Sequence, residues 1–304
     1  MHIRLFIIAL AGLFACLTPA LAQLKEEEHV DLQALYQQID EEMGRSAQYV
    51  AERQARIKQQ HDAFLGAVND EHRLVMAEEL FMLYKPFKND SAIHYAQVCI
   101  QLADRLQRPD KSGYFRSLLA HQCSNSGMYV ESLQLLDEVD KSQLDTLGLT
   151  EYYDAYRHVY GEIANLSQLR EVSLKYWALQ DVYRDSVLMV ANEGSDQYLL
   201  LRMAMLVQHQ QYEEALKISD RWLNKVADGS QGDAMAAYCR HLVYDRMGNT
   251  EKVRYWLGRS ALSDIRSAVM DQASLITLAE LLNYDGDLKR SYRYIGFTWQ
   301  CNNA

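Results

Sequence analysis

Three turns built alike decide the fold, and they read HQQYEEAL at 209–216, RMGNTEKV at 246–253 and YDGDLKRS at 284–291. Their corresponding residues Ala215, Val253 and Ser291 lie 38 positions apart at each step. A repeat of roughly 20–50 residues is typical of a solenoid, in which each helix pair buries its apolar face by stacking on its neighbours. The sequence therefore predicts an all-α repeat protein, which favours binding over catalysis.

The same pattern extends toward the N-terminus. Small or short residues early in each second helix serve as anchors, at spacings of 40, 37, 46, 38 and 38: Ala92, Ser132, Leu169, Ala215, Val253 and Ser291. The tetratricopeptide (TPR) pattern places small and large apolar residues at such positions, and the last repeat fits it best, with Leu275, Ala279 and Gly286. Residues 69–304 are thus predicted to form a TPR-like α-solenoid, a right-handed superhelix of antiparallel helix pairs. The 46-residue step predicts an irregularity.

A long helix is predicted to precede the repeats, over residues 31–68. Apolar residues recur every seven positions along it, at Tyr36, Met43, Val50, Ile57 and Phe64. The second stripe that a coiled coil needs fails at polar residues farther along. We therefore expect this helix to dock on the first repeat as a cap, with a dimeric coiled coil as the alternative.

The N-terminus carries an export signal in residues 1–22. His2 and Arg4 precede an apolar stretch, and Ala20-Leu21-Ala22 supplies an A-x-A cleavage pattern. We expect cleavage after Ala22, with lipidation at Cys16 as the less favoured alternative. A short linker, 23–30, follows. No later stretch is apolar for long enough to span a bilayer, so the mature chain is expected in the periplasm.

Composition excludes several classes of function. A formal net charge of −10 without a clustered cationic face disfavours direct nucleic-acid binding. No phosphate-binding loop, dinucleotide motif, nucleophile elbow or metal-ligand spacing occurs, so we expect no enzyme activity, no cofactor and no metal.

Two residue groups resemble functional sites but have simpler explanations. The segment EYYDAYRHVYG (151–161) could be an aromatic sugar platform, yet Tyr153, Tyr156 and Tyr160 recur at helical spacing, which favours core packing. Four cysteines remain in the mature chain, and we interpret them as small buried hydrophobes although a disulfide stays open: Cys99, Cys123, Cys239 and Cys301. Cys301 is expected to be the most exposed.

One set of residues is predicted to face the groove of the solenoid. In TPR-type stacks the first helices line the concave face, and counting from the anchors puts His121 and His158 at equivalent places there. Polar, aromatic and cationic side chains on such a face suit peptide or glycan capture, although ordinary solvated surface is the alternative. The predicted concave-face residues are Tyr114, His121, Asn125, Asp154, His158 and Arg246.

Several segments resemble bacterial membrane-anchored TPR-type transcriptional regulators with an exported helical-repeat sensor. They are YVAERQARIKQQ (49–60), NDSAIHYAQ (89–97), LTEYYDAYRHVYG (149–161), VYRDSVL (182–188), SDQYLLL (195–201) and ALSDIRSAVMDQASLITLAELLNYDGDLKRSYRYIGFTW (261–299). The resemblance implies a sensor outside the cytoplasmic membrane, followed in family members by a transmembrane helix, a cytoplasmic coiled coil and a DNA-binding domain.

The chain ends at Ala304, before the parts that would carry an anchor or an output domain in such regulators. We expect a truncated regulator, a sensor fragment or a free-standing derivative. The main hypothesis is a periplasmic sensor domain that binds a peptide, glycan or protein partner, and the alternative is a stand-alone periplasmic scaffold. An unfinished solenoid exposes apolar surface at its end, so Leu288, Tyr292 and Ile295 predict self-association there.

Overall fold

The computed structural model describes residues 30–270 and 272–302. The predicted signal peptide, Cys16, the cleavage site after Ala22 and nearly all of the linker lie outside these residues. The described part is built from α-helices: α1 Leu32–Leu65, α2 Asp70–Tyr84, α3 Asn89–Arg105, α4 Pro109–Asn125, α5 Tyr129–Asp137, α6 Thr146–Leu166, α7 Arg170–Val190, α8 Asp196–Gln208, α9 Tyr212–Leu223, α10 Gln231–Arg246, α11 Thr250–Arg266, α12 Ala273–Tyr284 and α13 Leu288–Asn302. A short 3₁₀ turn, Lys141–Gln143, precedes α6.

After α1, the helices form six antiparallel pairs, from α2–α3 to α12–α13, in a TPR-like arrangement. The all-α solenoid predicted from the repeat is therefore confirmed. The five anchors Ala92, Ser132, Ala215, Val253 and Ser291 are all buried at the fourth position of a second helix. At this position a small side chain lets the paired helices approach closely.

The anchor assigned to Leu169 is wrong. Leu169 lies outside α7 as its N-cap, with 69% of its surface exposed. Ser173 is the fourth residue of α7 and holds the equivalent place. With Ser173 as the anchor, the spacing from Ser132 is 41 residues and the spacing to Ala215 is 42 residues. With Leu169 these spacings were 37 and 46 residues. The irregular spacing arises because α6 and α7 are each 21 residues long.

The turns within and between pairs share one geometry. Gly127, Gly248 and Gly286 follow their helices with φ of 77°, 74° and 86°, the left-handed conformation that glycine adopts without steric cost. Gln210 and Ala268 adopt the same conformation at φ of 60° and 49°. Each of these residues lets the chain turn back sharply, so the next helix lies antiparallel to the last.

The long helix α1 contacts both ends of the solenoid. Asp31 caps it by accepting a hydrogen bond from the Ala34 amide at 3.0 Å. Its C-terminal half packs Ile57 into the core of α2, α3 and α4, which is the docking on the first repeat that the sequence predicts. Its N-terminal half packs Tyr36 and Ile39 into the core of α11, α12 and α13.

This second contact was not predicted. Burying a side chain of this size contributes about 1.5–3 kcal/mol, so Tyr36 and Ile39 hold the last repeats firmly against α1. Gly258 of α11 permits the close approach, because a Cβ there would lie 2.7 Å from Leu35 Cδ2. The solenoid is therefore closed on itself by its own N-terminal helix.

The last helix leaves an apolar face open. Leu288, Tyr292 and Ile295 are 50%, 75% and 40% exposed, and Tyr284 and Trp299 are exposed beside them.

Within residues 30–270 and 272–302, none of the helices combines the length and apolar character needed to cross a bilayer.

Candidate ligand-binding cavity

A cavity of about 350 Å³ lies where the two ends of the solenoid meet, and we call it the central cavity. Its walls come from the turn after α2 and from helices α4, α8, α10, α11 and α12. Most of these are the first helices of their pairs. The central cavity therefore belongs to the inner side of the solenoid, where TPR-type proteins bind their ligands.

Two sets of hydrogen bonds join the first repeat to the last repeats beside the central cavity. The Met270 amide donates to the Pro86 carbonyl at 3.1 Å. Arg53 of α1 donates to the carbonyls of Leu83 at 2.9 Å and Ser267 at 2.7 Å. One guanidinium thus joins the first repeat, the fifth repeat and α1. We refer to these contacts together as the seam.

Histidines from neighbouring first helices form a stacked pair at the cavity wall. The rings of His121 (α4) and His158 (α6) are parallel within 4°, with their centroids 3.9 Å apart. Nε2 of His158 lies 2.7 Å from Asn125 Oδ1, which fixes the orientation of the stack. His121 and Asn125 line the central cavity directly.

Burial keeps both imidazoles neutral. Loss of solvent lowers the pKa of His121 well below its usual value, and the neighbouring His158 lowers it further. Burial likewise lowers the pKa of His158 to about 4, with Arg157 contributing in the same direction. Face-to-face contact at this distance suits two neutral rings, because two imidazolium rings would repel each other.

An ion pair lies beneath the histidines. Arg157 donates from Nε to Asp154 at 2.6 Å, and the aspartate is buried. Burial alone would raise the pKa of Asp154, but the Arg157 charge outweighs it and holds the pKa below its usual value. On the same helix, burial raises the pKa of Glu151, which accepts a hydrogen bond from Gln197 at 2.9 Å.

The predicted concave-face residues occupy three different places. His121 and Asn125 line the central cavity, and His158 and Asp154 lie beside them without lining it. Tyr114 is buried in the core of α2, α3 and α4, with Lys111 Nζ 5.4 Å from its ring centroid. Arg246 is the exposed last residue of α10 and does not line the central cavity.

The histidines meet for a reason other than equivalence between repeats. With the anchor at Ser173, the counterpart of His121 is Glu162, one helical turn beyond His158. The extra length of α6 shifts its side chains along the neighbouring helix α4, and this shift brings His158 beside His121.

Sequence reasoning missed several residues of the cavity wall. Lys85 and Gln122 line it, as does Tyr238. Lys85 follows α2 and so falls outside the rule that first helices line the groove. Gln122 carries no motif, and only its position beside His121 could have indicated it.

Residues 43–304 match the family model described as SusR N-terminal TPR domain. The match covers most of the chain. The chain belongs to this family. No curated protein matches it. The family is one of TPR-type regulators, and its helical repeats are of a type that mediates protein interactions. The match begins within α1, so the half of α1 that packs on the first repeat belongs to the family domain.

The tyrosine stripe of this TPR domain packs between α6 and α7. Tyr156 is buried, its ring stacks on Tyr183 with a centroid distance of 4.7 Å, and its hydroxyl donates to Asp137 at 2.8 Å. Tyr153 and Tyr160 are half-buried around the same Tyr183 ring. The tyrosines therefore form the interior of the longest helix pair, as their spacing predicts.

The cysteines of the described residues are free thiols and lie apart from the central cavity wall, except Cys239. Cys99, Cys123 and Cys239 are buried free thiols, and Cys301 is half-buried. Across the part of the chain that the structure describes, no three His, Cys, Asp or Glu side chains cluster as metal ligands would. A second cavity, of about 380 Å³, opens between α1 and the turn before α3. None of the predicted site residues lines it, so the central cavity is the candidate site.

Proposed function

We propose that this TPR domain is the sensor part of a signal-responsive transcriptional regulator and lies outside the cytoplasmic membrane. Its ligand, a peptide, a glycan or a segment of a protein partner, would occupy the central cavity. The location rests on the export signal and on the resemblance to membrane-anchored regulators. The name of the matching family supports the regulatory role, since SusR is a regulator of the Sus system.

One observation carries the sensing proposal: the central cavity lies at the seam. An occupant would contact the turn after α2 and the N-terminal end of α12, which belong to opposite ends of the solenoid. A ligand that binds the closed form better than an open form shifts the population toward closure. Small rotations between repeats would add up along the solenoid and transmit the change.

The test is ligand protection in wild-type and blocked domains. Ala273 is exposed and lines the central cavity, so Ala273→Trp should fill the cavity without disturbing the core. We expect a peptide or oligosaccharide that raises the melting temperature of the wild type to leave Ala273→Trp unchanged. Ala178→Trp, on the exposed surface of α7, is the matched control. Equal protection of all three proteins would place the ligand elsewhere and contradict the proposal.

The second candidate function is a periplasmic scaffold that holds proteins together. The exposed apolar face of α13 favours it, because Tyr292 and Trp299 are 75% and 68% exposed. Large exposed apolar side chains grouped on one helix are characteristic of interaction surfaces. The two functions are separable: blocking the central cavity abolishes sensing, whereas polar substitutions on α13 abolish assembly.

A further inference from the structure

Gln122 brings a side-chain amide to the wall of the central cavity. The residue is 1% exposed, and its side-chain amide makes no hydrogen bond to any of residues 30–270 and 272–302. The accessible surface that the amide atoms keep faces the cavity. The amide can therefore form a hydrogen bond with a ligand atom in the cavity.

An exposed lysine, whose charge also acts on Glu151, lines the central cavity as well. It is Lys85, and no carboxylate of the described residues lies within ion-pairing distance of its ammonium group. Lys85 and Gln122 both flank the turn between α2 and α3, since Asn89 at the start of α3 donates to the Gln122 carbonyl at 3.2 Å. The Lys85 charge also acts at the cavity wall, because it lowers the pKa of His121. Its effect is smaller than those of burial and of His158.

The N-terminus of α12 lies against the same turn. The Met270 amide bonds to Pro86, directly after Lys85, and Ala273 and Ser274 at the start of α12 line the cavity. The N-cap residue Gln272 makes no side-chain cap hydrogen bond to this helix, so among the described residues its first amide groups are left as donors. The dipole of the helix adds a partial positive charge at this end.

The rest of the wall is largely apolar. Leu200, Ala234, Met235 and Val269 face the cavity from the other helices. Among the described residues that line the wall, the acidic side chain is that of Asp264, and it already has an interaction partner of its own. The cavity thus combines an apolar part with one end where the ammonium, the amide and the helix terminus all donate. Its volume falls within the range of roughly 300–1,000 Å³ found for small-molecule sites.

We infer that the ligand of the central cavity is a carboxylate with an apolar body, held at its charged end by Lys85, Gln122 and the N-terminus of α12. Charge-assisted hydrogen bonds to a carboxylate would satisfy all three donors at once. The apolar body would fill the space beside Leu200 and Met235. This inference rests on the proposed sensing function and specifies the ligand chemistry. A free peptide C-terminus and a small organic acid share that chemistry.

The experiment compares each acid with its neutral counterpart by isothermal titration calorimetry on the purified chain. The organic-acid arm uses sodium octanoate against octanol, and the peptide arm uses acetyl-Leu-Leu with a free carboxylate against its amide. We expect at least one acid to bind at least about tenfold more tightly than its neutral counterpart, and the arm that succeeds names the source. Equal affinities within both pairs, or no binding of either acid, would overturn the inference.

Two substitutions connect that result to the named donors. Lys85→Met and Gln122→Leu should each weaken binding of the acid about tenfold, a loss of about 1.4 kcal/mol, and leave the neutral counterpart unchanged. Lys141→Met, which removes an exposed lysine remote from the cavity, is the matched control and should bind as the wild type does. An acid whose affinity ignores Lys85→Met would also overturn the inference.

The outcome is distinguishable from failure of the sensing function. A neutral oligosaccharide that protects the wild type and not Ala273→Trp would end the carboxylate inference and leave the sensor intact. If no peptide or oligosaccharide protects the wild type selectively and neither acid binds, both proposals fail together.

Discussion

The amide of Met270 donates a hydrogen bond of 3.1 Å to the carbonyl of Pro86, 184 positions earlier in the chain. An open solenoid has no contact of this kind, because its first and last repeats lie far apart. Here the two ends meet, α1 packs on both, and the central cavity lies at their junction. The closed arrangement can therefore be tested separately from ligand binding.

Arg53 is expected to hold the seam together. Arg53→Met removes the hydrogen bonds to Leu83 and Ser267, and hydrogen bonds to a charged group contribute about 1.5–3 kcal/mol each. We expect the variant to lose about 2–4 kcal/mol of unfolding free energy in urea, with faster amide exchange at Met270. The neighbouring Arg56 is exposed, and Arg56→Met should behave as the wild type does. Unaltered exchange at Met270 in Arg53→Met would show that the seam does not depend on this side chain.

Gly258 is expected to set the distance between α1 and α11. In Gly258→Val the added atoms collide with Leu35, whose Cδ2 would lie 2.7 Å from the new Cβ. Overpacking of this kind costs about 1–3 kcal/mol, and thermal unfolding should report it together with increased protease cleavage within α1. The control is Gly44→Val, because a Cβ at Gly44 has no neighbour within 4 Å. Comparable melting temperatures for the two variants would rule out a tight contact at Gly258.

The stacked histidines are expected to make the domain less stable in acid. The pKa of His158 is about 4 in the folded protein against about 6.5 in the unfolded chain. Between those values the unfolded chain binds more protons, so stability falls as the pH drops from about 6.5 to about 4. We expect His158 to account for up to about 3 kcal/mol of that loss, and the lowered pKa of His121 acts in the same direction.

Urea unfolding at pH 7, 6, 5 and 4 measures the effect. The double variant His121→Ala/His158→Ala should be less stable at pH 7, because it loses the stack, and should show a flatter dependence on pH. His72 is exposed at the start of α2 and its substitution by alanine is the control. An unchanged slope in the double variant would mean that other groups cause the acid sensitivity.

Substitutions at two turn residues with left-handed backbone conformation should change the stability of the domain in opposite directions. Gln210 has φ of 60°, so Gln210→Gly relieves strain and should stabilise the domain by about 0.5–1 kcal/mol. Gly248 has φ of 74° with open space around it, so Gly248→Ala introduces strain alone and should destabilise by about 1–2 kcal/mol. Differential scanning calorimetry on the two variants checks both signs. Shifts in the same direction would contradict the explanation by φ.

The exposed face of α13 predicts self-association. Burying Tyr292, Ile295 and Trp299 against a second copy would remove apolar surface from water. We expect light scattering to detect dimers or larger species at high protein concentration, and Tyr292→Ser/Trp299→Ser to restore the monomer. A wild-type chain that stays monomeric at high concentration refutes the prediction. Leu174→Ser/Trp177→Ser, on the exposed part of α7, is the matched control.

The anchor residues show which parts of the fold can be predicted from the sequence. The step of 38 residues and the small residues Ala215 and Val253 predict the last repeats correctly, because helix pairing needs a small side chain at that place. The same reasoning fails at Leu169, where longer helices move the anchor to Ser173 by one turn. Periodicity identifies the apolar face of a helix but does not count extra turns beyond it.

Some residues of the cavity wall can be predicted from the sequence, and others cannot. His121 and Asn125 follow from the expectation that first helices line the groove. Lys85 and Gln122 do not, since a turn residue and an isolated amide carry no pattern. The repeat register predicts Tyr114 and Arg246 on the same concave face, yet Tyr114 is buried in the core and Arg246 lies at an exposed helix end.

By itself the sequence determined the helices, their pairing and their turns, because apolar spacing, helix caps and glycines act over a few residues. Only the tertiary structure decided that α1 joins the first and last repeats, that Met270 meets Pro86, and that a cavity forms between them. An apolar stripe such as that of Tyr36 and Ile39 specifies that it must be buried and leaves open which surface will bury it. That choice depends on the summed rotations between all six helix pairs, which bring both the first and the last repeats into contact with α1.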